Sequence, residues 1–349
     1  MKIVKSLQLT VVTIVACGIT LSASAQDNTL LGAGSTFVYP LFSKIFSEYG
    51  KANNVKVNYQ SIGLGGGILQ LTNKTVDFGD SDAPLNADQT KKMGAPVLHI
   101  PMASGATVVT YNVPGVGNGL KLTGKDLADI YLGKVTKWNS PEIAATNRGL
   151  RLPNMPIVVV HRSDGSGTTF IFTDFLSKVN SEWASKVGKA TAVNWPAGLG
   201  GKGSEGVSGL VKQIPGAIGY VELAYAIQNK MRFAYMQNKA GKFIAPSLAS
   251  TTSASNIEIP ADAKVSVTNT ANAAGYPISG FTWVLIYKEQ KYNGRSDARA
   301  RMLLKLIWYN VHQGQKFCEP LNYAPLSKSA VKVAEKLLKS ATYGGKAVL

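Results

Sequence analysis

Residues 156–179, PIVVVHRSDGSGTTFIFTDFLSKV, join a short apolar run to an amphipathic segment through a loop of serine, glycine and threonine. That junction narrows the possible folds more than any other stretch. Ile157 to Val160 form the uninterrupted β-branched run of a strand covered on both faces, as in parallel sheets. Ile171, Phe172, Phe175, Leu176 and Val179 recur at helical spacing and predict one buried helix face. Between them, Ser166, Gly167, Thr168 and Thr169 occupy a first helical turn, where backbone N–H groups have no partner inside the helix and hydroxyls stand beside them. Such a turn suits a small anion. Arg162 and Asp164 fall at the strand end, where open α/β sheets hold ligands, and arginine offers a planar donor fork to an oxyanion. The same residues also read as an ordinary N-cap, so this stretch alone leaves both uses open.

The construction recurs twice. Leu30 to Phe37, LLGAGSTF, leads into a helix whose apolar face is Val38, Leu41, Phe42, Ile45, Phe46 and Tyr49, with Pro40 in the first turn, where a missing N–H costs little. After the alternating strand Val55 to Tyr59, the loop Ser61-Ile62-Gly63-Leu64-Gly65-Gly66-Gly67 opens a short apolar segment, Ile68 to Leu71. Its glycines let backbone amides approach a ligand closely. Three strand–loop–helix units could present their amides to one anion if the fold brings them together.

GAGSTF at 32–37, VDFGDSDAPL at 76–85, DGSGTTFIFTDFLSKVN at 164–180, WPAGLGGKGSEGV at 195–207 and PGAIGYVELAYA at 215–226 resemble the periplasmic phosphate-binding protein of the bacterial phosphate-specific ABC transporter. The resemblance runs in order from about Leu30 to near the C-terminus. It implies an α/β, two-lobed, type II Venus-flytrap fold that closes on one dehydrated phosphate in the interlobe cleft. Lobe 1 would be discontinuous, residues 26–108 plus 277–349, with lobe 2 at 109–276 and strands crossing between them. It implies ligand contacts from Thr36 and Phe37 with Ser35 adjacent, from Asp82, from Arg162, and from Ser166, Gly167 and Thr168, with Asp164 holding Arg162. It also implies delivery of phosphate by a monomer to a membrane-embedded ABC permease with its ATPase subunits, with no cofactor. One position departs from the family pattern. Where the family's glycine loop carries a serine whose hydroxyl and amide both reach phosphate, this chain has Leu64. A charge-assisted hydrogen bond contributes about 1.5–3 kcal/mol. Binding should therefore be roughly ten- to a hundredfold weaker unless Ser61, Ser35 or a water replaces the hydroxyl.

Met1 to Ala25 has the pattern of an export leader: Lys2 and Lys5, an apolar core from Leu7 to Ile19, and the small-residue site Ala23-Ser24-Ala25, so that the mature chain would begin at Gln26 in the periplasm. Ile14-Val15-Ala16-Cys17 offers a rival lipoprotein box that would anchor the protein through Cys17. With the first cleavage only Cys318 remains, which excludes an intrachain disulfide and suits a buried small hydrophobe. The chain carries a formal charge of +17, and losing Lys2 and Lys5 takes it to +15. The lysines are scattered rather than grouped in runs, which argues against a nucleic-acid face and leaves long-range attraction of anions as the use of the field.

Thr123 and Asp126 have capping-box spacing for a helix over 123–133. FTWVLIY at 281–287 predicts a buried strand, helices are expected at about 297–313 and 328–340, and Thr251 to Asn256 is expected as polar surface loop. Gly198 to Gly203 matches G-x-G-x-x-G, but Trp195-Pro196-Ala197 is a poor strand before it, so a helix-entry turn near the cleft fits better than a dinucleotide site. His161, Asp164 and Ser166 contain the groups of a hydrolase triad, yet they lie too close along one loop for its geometry, and G-x-S-x-G is absent. His99, His161 and His312 are too widely spaced to suggest a metal site. An exported phosphate-ester hydrolase on the same fold is the alternative function.

Overall fold

The computed structural model describes residues 28–349, so the expected leader Met1–Ala25 and Cys17 lie outside the described residues. The chain begins with β1 (Thr29–Gly34), α1 (Tyr39–Asn53), β2 (Lys56–Ser61), α2 (Leu64–Thr72), β3 (Phe78–Ser81), α3 (Ala87–Met93) and β4 (Val97–Tyr111). It continues with β5 (Lys121–Leu122), α4 (Gly124–Tyr131), α5 (Pro141–Thr146), β6 (Val158–Arg162), α6 (Gly167–Val179), α7 (Ser181–Lys186), β7 (Leu199–Gly201), α8 (Gly203–Gln213), β8 (Ala217–Glu222) and α9 (Leu223–Gln228). Then come β9 (Arg232–Phe233), β10 (Tyr235–Gln237), β11 (Phe243–Ile244), α10 (Leu248–Ser255), β12 (Ser279–Tyr287), α11 (Asp297–Val311), α12 (Lys328–Lys339), β13 (Thr342–Tyr343) and β14 (Lys346–Ala347).

Each predicted helix forms for the reason its spacing gave. In α1, Leu41, Phe42, Ile45, Phe46 and Tyr49 are buried and Pro40 sits in the first turn. The Thr123 hydroxyl accepts from the Asp126 N–H while Asp126 returns to the Thr123 N–H, closing the expected capping box of α4.

The main sheet runs in the order β2-β1-β3-β12-β4-β8-β6-β7, with β9 also on β4. β1, β2 and β3 are parallel, as are β8, β6 and β7, while β12 and β4 run antiparallel to their neighbours. β4 belongs to both halves: residues 97–106 pair with β12 and residues 107–111 with β8. It is buried from Leu98 onward. A strand covered on both faces needs no polar alternation, and its sequence has none. The carboxyl ends of β1 to β3 on one side and of β6 and β7 on the other face each other across a cleft. There the Gly65 N–H donates to the Gly165 carbonyl at 3.0 Å.

Two local expectations need correction. Thr251 to Ser255 belongs to α10 rather than to a polar loop, and Thr251 and Ser255 are buried. Their hydroxyls donate to the carbonyls one turn back, Ser247 and Thr251, at 2.8 and 3.0 Å, so a hydroxyl-rich composition hides a packed helix. The glycines around 200 do form a strand, β7, short and parallel to β6, before the expected helix entry at Gly203. Cys318 is fully buried, and burial pushes its thiol up to about 12, which makes it inert packing.

Candidate functional site in the interlobe cleft

The three strand–loop–helix units converge. From the first half come Ser35, Thr36 and Phe37 after β1, Leu64 at the start of α2, and Asp82 after β3. From the second come Arg162 at the end of β6, Asp164, and Ser166, Gly167 and Thr168 at the start of α6. Except for Asp164, which is partly exposed, every one is buried.

The second half is organised by an ion pair. Arg162 donates from Nε to Asp164 Oδ1 at 2.7 Å and from Nη2 to Oδ2 at 2.5 Å, a bidentate fork. The Gly203 N–H adds a third donor to Asp164 at 3.0 Å. Burial raises the Asp164 pKa, but the Arg162 hydrogen bonds and charge, with the Gly203 amide, outweigh it and hold the carboxyl below its ordinary range. Ser166 caps α6, accepting from the Thr169 N–H at 3.1 Å. Gly167 and Thr168 take the first helical positions, where amides have no partner within the helix. The Thr168 hydroxyl is buried without a hydrogen-bond partner. A buried hydroxyl left unsatisfied costs about 1–3 kcal/mol, which a ligand acceptor would recover.

The first half is organised around a carboxylate with no cation in direct contact. The Asp82 carboxylate accepts from the Ser35 hydroxyl and, at 2.6 Å, from the Thr282 hydroxyl of β12. Thr282 lies 3.1 and 3.3 Å from the two oxygens of Asp80 as well. One hydroxyl has one proton, so it cannot serve both carboxylates at once. Burial and the Asp82 charge raise the Asp80 pKa well above the usual range, which favours the protonated form. A neutral Asp80 can donate to Thr282, which then donates to Asp82. Burial pushes Asp82 itself up to about 6, against the opposing Ser35 and Thr282 hydrogen bonds and the Arg162 charge. At neutral pH Asp82 is therefore an ionised acceptor.

The two halves touch. A Cβ on Gly167 would lie 2.2 Å from Asp82 Oδ2, so only glycine lets the α6 N-terminus meet that carboxylate. Gly63 has φ 85°, and a Cβ there would lie 2.2 Å from Asp164 Oδ2. Both positions require glycine for close approach of the walls.

Some expected ligand groups are occupied otherwise. Ser35 donates to Asp82 and accepts from the Phe37 N–H at 3.0 Å, so it shapes the site from behind and holds the Phe37 amide. Leu64 points into an apolar cluster with Ala33, Ile68 and Leu71, and only its amide at the α2 N-terminus is placed for the cleft. The Ser61 hydroxyl is buried without a partner, which leaves it available as a substitute donor. His161 is not arranged as the base of a hydrolase triad: its Nδ1 sits 3.0 Å from the Arg162 carbonyl, and the ring stacks on Trp195 at 4.8 Å.

Sequence reasoning missed four contributors. Thr36 Oγ1 meets Ser204 Oγ at 2.9 Å across the cleft, Gly203 braces Asp164, Thr282 holds Asp82, and Tyr59 donates to the Ser35 carbonyl at 2.9 Å. Ser204 carried a usable signal, because GGKGSEG repeats the glycine-to-helix junction of the recognised loops. Thr282 sits mid-strand among apolar residues, where nothing in the pattern marks it.

Comparison with known proteins places the chain in a family and a fold. The family model described as the PBP superfamily domain matches residues 21–309. A phosphate-binding protein PstS of Xylella fastidiosa (strain 9a5c) is 45% identical over 308 residues, 87% of this chain and 83% of its own. The PstS of Pasteurella multocida is 42% identical over 317 residues, 90% of each chain. Among solved structures, a high-affinity periplasmic phosphate-binding protein with phosphate bound superposes with TM-score 0.68 at 19% identity, covering 88% of this chain and 93% of that one. The phosphate-binding protein of Stenotrophomonas maltophilia gives 0.67 at 17%, with the same coverage. At such identities the structures speak for the shared fold alone, whereas the sequence relatives, alike over nearly their whole length, establish that the chain belongs to the PstS phosphate-binding protein family of the PBP superfamily.

Proposed function

We propose that the protein captures inorganic phosphate in the periplasm, between the carboxyl ends of β1–β3 and of β6 and β7, and delivers it as a monomer to a membrane-embedded ABC permease. The observation that carries this reading is the meeting of a buried carboxylate acceptor, Asp82, with the donor set of the α6 N-terminus. Monohydrogen phosphate is a dianion that still has a proton. Its unprotonated oxygens would take the Gly167 and Thr168 amides, the orphan Thr168 hydroxyl, the Ser166 and Thr36 hydroxyls and the Arg162 guanidinium. Its proton would go to Asp82. The Leu64 amide would contribute from the first half, with Phe37 beside it. Asp164 would act through Arg162 without touching the ligand.

The family supports the permease as partner, and its relatives are binding proteins, which favours capture over turnover. The lobes would be 26–108 with 277–349, and 109–276, hinged where β4 passes from β12 to β8. No helix among the described residues is long and apolar enough to cross a membrane. Calorimetric titration with phosphate, sulfate and arsenate tests the reading. Tight phosphate and arsenate binding with sulfate excluded is expected, and equal binding of phosphate and sulfate would refute it.

A further inference from the structure

Thr36 and Ser204 come from opposite walls of the cleft and are both about 1% exposed. Ser204 makes two contacts with the same atom: its hydroxyl is 2.9 Å from Thr36 Oγ1, and its N–H donates to that oxygen at 3.3 Å. A threonine hydroxyl has two acceptor lone pairs and one proton. The amide can only donate, so it fills one lone pair. The proton between the two hydroxyls remains to be assigned. If Thr36 donated it, the Ser204 proton would need another acceptor, and Ser204 Oγ has no other hydrogen bond among the described residues. If Ser204 donates it, both lone pairs of Thr36 are filled and the one proton left over belongs to Thr36, on the wall of the anion site.

We propose that Ser204 is a positioning residue that aims the Thr36 proton at the bound oxyanion and thereby slows its release. The inference rests on the reading of the cleft as the phosphate site. Its physical content is a proton count. The buried pair is fully satisfied only when an acceptor lies beside Thr36, so the bond across the cleft and the bond to the ligand strengthen each other. Ser204 is held in register because the preceding Gly203 N–H is anchored on Asp164. Closure of the walls, the Arg162–Asp164 pair and the Thr36 donor thus act as one unit.

Stopped-flow measurement of phosphate association and dissociation tests this on the wild type, Ser204→Ala, Thr36→Val and the double variant. Ser204→Ala should raise the dissociation rate constant about tenfold while association changes less than about twofold. The effect should disappear when Thr36 is already valine, because no proton is left to aim. A dissociation rate unchanged by Ser204→Ala, or an equal effect in both backgrounds, overturns the proposal. Wild type that does not bind phosphate overturns the reading of the cleft and this inference with it. Wild type that binds, with the two residues uncoupled, overturns this inference alone.

Discussion

Asp164 and Asp82 face each other across the cleft with opposite protonation tendencies. Asp164 has a guanidinium locked on it at two points, and that contact holds its carboxyl below the ordinary range against the effect of burial. Asp82 has only hydroxyls in direct contact and a second carboxyl nearby, and burial pushes it up to about 6. The difference separates two requirements of an anion receptor. One wall needs fixed positive charge, which the Asp164 partner orients. The other needs a group that tests whether the anion carries a proton, and an acceptor with no cation on it can do that, because its charge is not already balanced by a fixed donor. A protonless dianion set against Asp82 meets an unpaired like charge.

The comparison breaks first at Arg162. Arg162→Ala should weaken phosphate binding by about 3–5 kcal/mol, since it removes a charged donor beside the anion and leaves the partly buried Asp164 carboxylate without its cation. Adding Asp164→Asn should recover stability in urea unfolding but not affinity in calorimetry; recovery of both would show that the arginine acts only as a structural partner. Next in size is Gly167→Ala. Its methyl must displace the Asp82 carboxylate, and a loss of about 2–3 kcal/mol is expected. Small-angle scattering should show less compaction on adding phosphate than in the wild type.

Asp82 sharpens the comparison through pH. Because its folded pKa is raised, it is an acceptor above about 6 and gains a proton below. With affinities expressed per monohydrogen phosphate, so that the ligand's own titration is removed, the phosphate-to-sulfate ratio should fall more steeply in the wild type than in Asp82→Asn as pH drops from 7.5 to 5. The same shift has a stability consequence. A raised carboxyl pKa destabilises the fold increasingly as pH climbs from the unfolded value of 3.8. The penalty is complete above the folded value. Relative to wild type, ligand-free Asp82→Asn should therefore gain about 2 kcal/mol of stability between pH 4 and pH 7.5. Smallest in its effect on binding is Leu64→Ser. The side chain leaves an apolar cluster, so stability should fall by about 2–5 kcal/mol, while phosphate affinity changes by less than about tenfold. A larger gain would mean that neither Ser61 nor water had replaced the missing hydroxyl.

The sequence was most legible where chemistry and element ends coincide. The loops at Ser35, Leu64 and Ser166 could be placed because glycine, hydroxyl and helix periodicity mark one spot, and the Arg162–Asp164 pair was expected from the family resemblance. It was least legible where a functional contact joins distant elements. Thr282 reaches Asp82 from two hundred residues away. Nothing local distinguishes its hydroxyl from others on buried strands. Ser35 was hard to place for a related reason: its hydroxyl could face ligand or carboxylate, and only the return of β3 beside β1 sets it on Asp82. At 251–256, polarity suggested a loop because hydroxyls that bond their own helix look like hydroxyls that need water.

The place of β12 also governs how the molecule can be assembled. β3 and β4 are close in sequence, yet they never pair; β12 lies between them, bonding Trp283 and Val284 to Ser81 and Asp80 and running along the first ten residues of β4. A chain that stops short of residue 279 therefore holds two sheet fragments, each with an open edge, and neither can close on the other. Such edges are templates for pairing with other chains. The sheet becomes one object only when nearly the last fifth of the polypeptide arrives, so folding must wait for its most distant contacts and is slow for a reason of topology rather than composition. The strand that supplies the Asp82 partner is the one that completes the sheet, so no early intermediate can present a finished cleft.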